Sequence, residues 1–179
     1  MNRITFLRVV LCSTLALNAA ISAVAHADNN KLSLSVELPR MDVAEYHKPY
    51  VAVWLEDSSR KSTQVALWYD QDMKDDEGKK WLKDIRQWWR RIGRQAEQPF
   101  DGLTSATKGP GKHIISVDLN AEQLKTLPAG EYQLRIEASR EVGGREVINV
   151  PIVLPVNASD YPLQAKGSTE LGAVEVMLD

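Results

Sequence analysis

The chain has 179 residues, a formal net charge of −2 and a single cysteine. A balance on the acidic side argues against nucleic acid as a partner, and one thiol allows no internal disulfide. Arg3, Arg8 and Cys12 all lie near the start, so the remainder of the chain is more acidic still and has no cysteine chemistry.

Met1-Asn2-Arg3 and Arg8 precede an apolar run from Val9 to Val24, and Ala25-His26-Ala27 comes next. A positive start, a short apolar stretch and Ala-x-Ala make a secretory signal peptide over residues 1–27, cut after Ala27. The run is short for a membrane-spanning anchor, and Leu11 before Cys12 is not the small residue of a lipoprotein signal. Residues 28–179 are expected to form one exported domain, best suited to a Gram-negative periplasm. With no cross-link available, an apolar core must hold it.

Lys31 to Leu38 alternates apolar and polar residues, the pattern of a half-buried strand. Tyr50 to Leu55 is apolar on both faces and reads as a central strand, and Thr63 to Tyr69 completes a hairpin with it. Asp70 to Gly78 reads as a solvated acidic loop; its carboxylates lack the glycine and closing glutamate of a calcium loop. Trp81, Leu82, Ile85, Trp88, Trp89 and Ile92 fall at helical spacing, with lysines and arginines on the opposite face, which predicts one long amphipathic helix ended by Gly93. Strands are expected again over 114–119, 131–138, 147–154 and 171–178, with a helical turn over 121–127 and an irregular stretch over 155–169. Pro151 points to an edge position for its strand. About seven strands with turns between them read as an antiparallel β-sandwich of immunoglobulin-like type with one inserted amphipathic helix.

Between the helix and the turn Lys108-Gly109-Pro110-Gly111 lies Asp101-Gly102-Leu103-Thr104-Ser105-Ala106-Thr107. By composition it is a surface turn of small and polar residues. In order, it resembles the acceptor motif of the periplasmic flavin transferase, in which the last threonine is esterified to the phosphate of FMN. The resemblance implies Thr107 as a covalent FMN anchor, with Asp101 and Thr104 recognised by the transferase. Ser105 stands where the motif usually has glycine.

A wider pattern runs alongside. Val53-Trp54-Leu55-Glu56-Asp57, Lys80-Trp81-Leu82-Lys83-Asp84, Pro128-Ala129-Gly130-Glu131-Tyr132 and Gly143-Gly144, in that order, resemble the family called domain of unknown function 2271, a predicted periplasmic family, over residues 31–154. That resemblance implies association with PepSY-type membrane reductases, the flavin transferase and TonB-dependent iron receptors. The expected function is therefore a periplasmic electron-transfer module carrying FMN, partner of a membrane reductase in iron uptake. The alternative is a non-catalytic binding domain that docks such a reductase or a receptor without flavin.

The residues themselves offer little else. Trp88 and Trp89 are candidates to stack on a flavin, and Arg90 or Arg91 to meet its phosphate, but the helical spacing of the tryptophans already explains them as core. His47 and His113 without ligand-spaced carboxylates make no metal site. No Ser-His-Asp arrangement, nucleophile elbow or phosphate-binding glycine loop is present, so an electron carrier or accessory protein is expected rather than a stand-alone enzyme.

Overall fold

A computed structural model describes residues 30–96 and 103–179, which form nine strands in two sheets and a few short helices. The strands are β1 (Lys31–Leu38), β2 (Tyr50–Asp57), β3 (Ser62–Trp68), β4 (Thr104–Ser105), β5 (Gly111–Asp118), β6 (Gly130–Ser139), β7 (Arg145–Leu154), β8 (Leu163–Lys166) and β9 (Ala173–Leu178). One sheet runs β5-β1-β9-β8 and the other β4-β3-β2-β6-β7. All pairings are antiparallel except that of β4 with β3. The expected signal peptide lies outside the described residues. Among those described, no helix is long and apolar enough to cross a membrane.

The alternation in β1 does what its period demands. Leu32, Leu34, Val36 and Leu38 turn inward and are buried, while the residues between them face out. They join one apolar cluster that takes side chains from both sheets, including Val51, Val53 and Leu55 of β2, Leu134 and Ile136 of β6, and Val174 and Val176 of β9. Burial of this apolar area, at about 25 cal/mol per Å², is the main term holding a chain without cross-links.

β2 is buried on both faces, as its unbroken apolar run requires. Val51, Val53 and Leu55 enter the shared cluster. Ala52 and Trp54 point the other way into a second cluster with Leu67, Tyr69, Leu82, Ile85 and Trp88. The segment 74–93 therefore covers the outer face of the five-stranded sheet at β2 and β3.

That segment is not the single long helix expected. It is a series of short pieces: a 3-10 turn (Lys74–Asp76), α1 (Glu77–Lys80), a 3-10 turn (Leu82–Asp84), α2 (Arg86–Trp88) and a π turn (Trp89–Gly93). Ile85 breaks it with φ −77° and ψ 75°. The physical reason sits in β6. The Glu137 carboxylate, fully buried, accepts the N–H of Gln87 at 3.0 Å and of Trp88 at 2.8 Å. Those donors are satisfied from outside, so the chain restarts there rather than continuing a helical ladder. The periodicity still identified the inward face, since Leu82, Ile85 and Trp88 are fully buried; Trp81, on the same stripe, is instead 40% exposed. Gly93 lies inside the π turn, where a Cβ would come within 2.5 Å of the Trp88 ring.

The stretch 155–169 is more ordered than its sequence suggests. It holds a 3-10 turn (Ala158–Asp160) and β8, which pairs with β9. α3 (Glu122–Lys125) fills the expected helical turn, and β7, which carries Pro151, ends its sheet.

Candidate functional site

The loop that drew attention in the sequence is stitched to a sheet edge. Thr104 and Ser105 form β4 beside Leu67 and Trp68 of β3. The N–H of Leu67 donates to the Leu103 carbonyl at 2.8 Å, and that of Tyr69 to the Ser105 carbonyl at 3.1 Å. The Thr104 hydroxyl accepts from Gln71 Nε2 at 2.9 Å. The two-residue strand thus covers the open edge of β3, which would otherwise present unpaired backbone groups. Downstream, His113 holds the turn. Its Nε2 lies 2.7 Å from the Gly109 carbonyl, and its ring meets Trp68 edge-on at 5.8 Å. His113 is a structural clasp in this arrangement.

Past β4 the chain carries half-buried Thr107 into the wall of a hollow of about 460 Å3. Tyr46, Tyr50, Asp70, Trp81, Asp84 and Glu141 line it too. These residues come from four separate segments. Tyr46 precedes β2, Asp70 follows β3, Trp81 and Asp84 belong to the helical cover, and Glu141 sits in the β6–β7 turn.

Fixed contacts hold each wall. Tyr50 donates from its hydroxyl to the Gly78 carbonyl at 3.0 Å. Burial, helped by the negative charges of Asp70 and Glu141 against the opposing effect of the Asp70 backbone, pushes its phenol up to about 12, so it stays a neutral donor. Tyr46 packs under the Arg140 guanidinium, 5.9 Å from the ring centre. Arg140 in turn makes a two-pronged pair with buried Glu170 at 3.0 and 3.2 Å, and Glu170 also accepts the Gly144 N–H at 2.7 Å. His47 stands between Glu45 and Glu141, at 3.4 and 3.6 Å. The hollow is therefore pinned to the β6–β7 turn on one side and to the helical cover on the other.

Its chemistry is acidic and aromatic. Among the described residues, four carboxylates line it, from Asp70, Asp72, Asp84 and Glu141, against one lysine, Lys48. Trp81 and Met73 add exposed apolar surface. Such a wall suits a cationic group on an apolar stem, which carboxylates attract and an indole face can cover.

This overturns the expectation of covalent FMN on Thr107, and with it the flavoprotein reading. A phosphodiester there would bring negative charge into a hollow that already holds four carboxylates. The expected stacking partners are committed elsewhere. Trp88 is fully buried and donates from Nε1 to Gln64 Oε1 at 3.0 Å, while Trp89 leans on it with ring centres 6.2 Å apart. The described residues contain no cysteine and no cluster of His, Cys, Asp and Glu able to hold a metal. Of the three residues expected to carry the cofactor, Thr104 is tied to Gln71, Thr107 lines the hollow, and Asp101 lies outside the described residues.

Sequence reasoning missed the other walls. Asp70 and Asp72 read as part of a solvated loop and Trp81 as core, because nothing in local spacing says that segments far apart in the chain will meet. The one available signal was the aromatic Tyr46 beside His47, two large side chains in a stretch with no strand or helix pattern.

No curated protein and no solved structure matches the chain. A family model matches residues 31–173, from the first residue of β1 to the start of β9. The match spans well over half of the chain, and the protein belongs to the family described as "Predicted periplasmic protein (DUF2271)".

Proposed function

We propose that this protein is a non-catalytic periplasmic binding domain, an immunoglobulin-like β-sandwich exported by a signal peptide removed after Ala27, which docks a membrane reductase of PepSY type without itself carrying flavin. The observation that supports this reading is the acidic, aromatic hollow beside Thr107, open at the surface. The association with such reductases comes from the family resemblance; the charge and the exposed Trp81 say what kind of segment would fit. A basic, extended segment of the reductase would place a lysine or arginine among Asp70, Asp84 and Glu141 and lay its stem on Trp81.

The experiment is co-purification from native membranes. The full-length protein, tagged and captured after detergent extraction, is expected to bring down a PepSY-type reductase identified by mass spectrometry. A Trp81→Ala, Asp84→Asn variant is expected to lose it. Equal recovery with the variant would refute the hollow as the docking site. Recovery of a receptor in place of the reductase would move the partner to the other class.

A further inference from the structure

A second hollow, sharing no lining residue with the first, lies between the helical cover and the β2–β3 hairpin. It measures about 300 Å3 and is lined by Arg60, Gln87, Arg90, Arg91 and Arg94. Among the described residues, four arginines and one glutamine line it and no acidic residue does. From these residues we propose that it is a binding site for a multiply charged phosphorylated anion, either a free phosphate compound or the phosphorylated headgroup of a lipid.

The arginines arrive there for structural reasons. Arg90 and Arg91 sit in the π turn Trp89–Gly93, and Arg94 is the residue that ends it. The turn is fixed from beneath by buried Trp88 and by the tight approach of Gly93 to the Trp88 and Trp89 rings. Arg60 comes from the β2–β3 hairpin. It holds a left-handed backbone at φ 71° and closes the turn by donating its N–H to the Asp57 carbonyl at 2.9 Å. Outside glycine that conformation is uncommon. The Asp57 carboxylate is turned to its own hairpin, where Oδ1 accepts from the Ser59 hydroxyl at 2.7 Å and the Lys61 N–H at 2.9 Å.

Among the described residues, the positive charge is only partly compensated. Arg91 pairs with Glu56 at 3.3 Å, but that buried carboxylate is shared with Arg135, which holds it at 2.8 Å. Arg90 donates its Nε to the Arg86 carbonyl, a neutral acceptor, at 3.3 Å. Like charges four residues apart, as in Arg90 and Arg94, oppose the turn that carries them. Guanidinium groups gathered around one concavity match the planar, two-pronged geometry of phosphate oxygens. A multiply charged anion would relieve the repulsion and satisfy several donors at once.

This site is independent of the docking reading, and the probe is inorganic pyrophosphate. Calorimetric titration of the full mature chain, at an ionic strength of about 0.15 M, is expected to show saturable binding. An Arg90→Gln, Arg94→Gln variant is expected to lose about tenfold or more in affinity, and Arg60→Gln a smaller part. Chloride and sulfate at matched ionic strength are the comparison. A parallel arm uses vesicles of phosphatidylcholine with and without phosphatidic acid. Pyrophosphate binding alone assigns a free phosphate compound. Vesicle binding that depends on phosphatidic acid and on Arg90 and Arg94 assigns a headgroup. Two results would overturn the site: pyrophosphate binding no tighter than sulfate with no vesicle binding, or a double variant that is folded by circular dichroism and binds as the parent does.

Discussion

Glu137 accepts the backbone N–H of Trp88 at 2.8 Å, and through that bond a strand dictates where a helix begins. The same carboxylate takes the Gln87 N–H at 3.0 Å and a guanidinium nitrogen of Arg145 at 2.9 Å, and it is fully buried. Removing it would leave one buried donor, one part-buried donor and a partly exposed cation without their acceptor. Glu137→Ala is expected to destabilise the fold by about 2–3 kcal/mol, the range for leaving a buried hydrogen-bonding group unsatisfied, since Arg145 keeps access to water. Urea denaturation followed by tryptophan fluorescence checks it, and the near-ultraviolet dichroism of Trp88 is expected to fall at the same time.

Glu146 gives the fold a pH dependence. Burial alone would raise its pKa. The N–H groups of Leu171, Ser168 and Thr169 and the Ser168 hydroxyl outweigh that and hold it near 2, against an ordinary 4.5. A carboxylate depressed in the folded state contributes stability that is present above its unfolded pKa and lost as pH falls toward the folded one. Stability is therefore expected to decline between about pH 4.5 and pH 2, and Glu146→Gln to flatten that part of the profile. Thermal denaturation across this window measures both; an unchanged slope in the variant would clear Glu146 of that role.

Gly78 stands where the helical cover meets β3. A Cβ there would run into the backbone carbonyl of Asp70, which cannot move aside as a flexible side chain would. Gly78→Ala is expected to cost about 1–3 kcal/mol, as overpacking does. Gly109→Ala, where a Cβ would meet nothing within 4 Å, is the control and is expected to stay within about 0.5 kcal/mol of the parent. Melting temperatures of the two variants separate close packing from a general intolerance of glycine replacement.

Thr107 is expected to remain unmodified. The intact mass of the mature protein from a periplasm with an active flavin transferase should equal that of the polypeptide alone. A mass higher by one FMN less water, abolished in Thr107→Ala, would reverse the correction drawn from the acidic hollow.

Local pattern carried most of the strands. β1, β2, β3, β6 and β7 follow from alternation, from a run apolar on both faces and from turn residues between them, because a strand's side-chain period is a property of neighbours in sequence. What escaped depends on distant partners. β4 exists only because Thr104 and Ser105 meet the edge of β3, and β8 only because β9 receives it. The long helix failed for the same reason, since Glu137 of another element supplies the acceptor that restarts it. At the hollow, the sequence singled out Thr107, which lines it, but for a covalent FMN that the structure does not support. It could not bring Tyr46, Asp70, Trp81 and Glu141 to that residue, and without their carboxylates the charge of the hollow was not visible.

The central claim is that the hollow beside Thr107 is the surface on which a membrane reductase docks. Site-specific photocrosslinking in the native cell tests it most directly, with the probe placed at Met73 on the rim and, as control, at exposed Ile114 on β5. A crosslink to a PepSY-type reductase is expected from position 73 and none from position 114. Equal crosslinking from both positions, or none to any membrane protein from position 73, would contradict the claim.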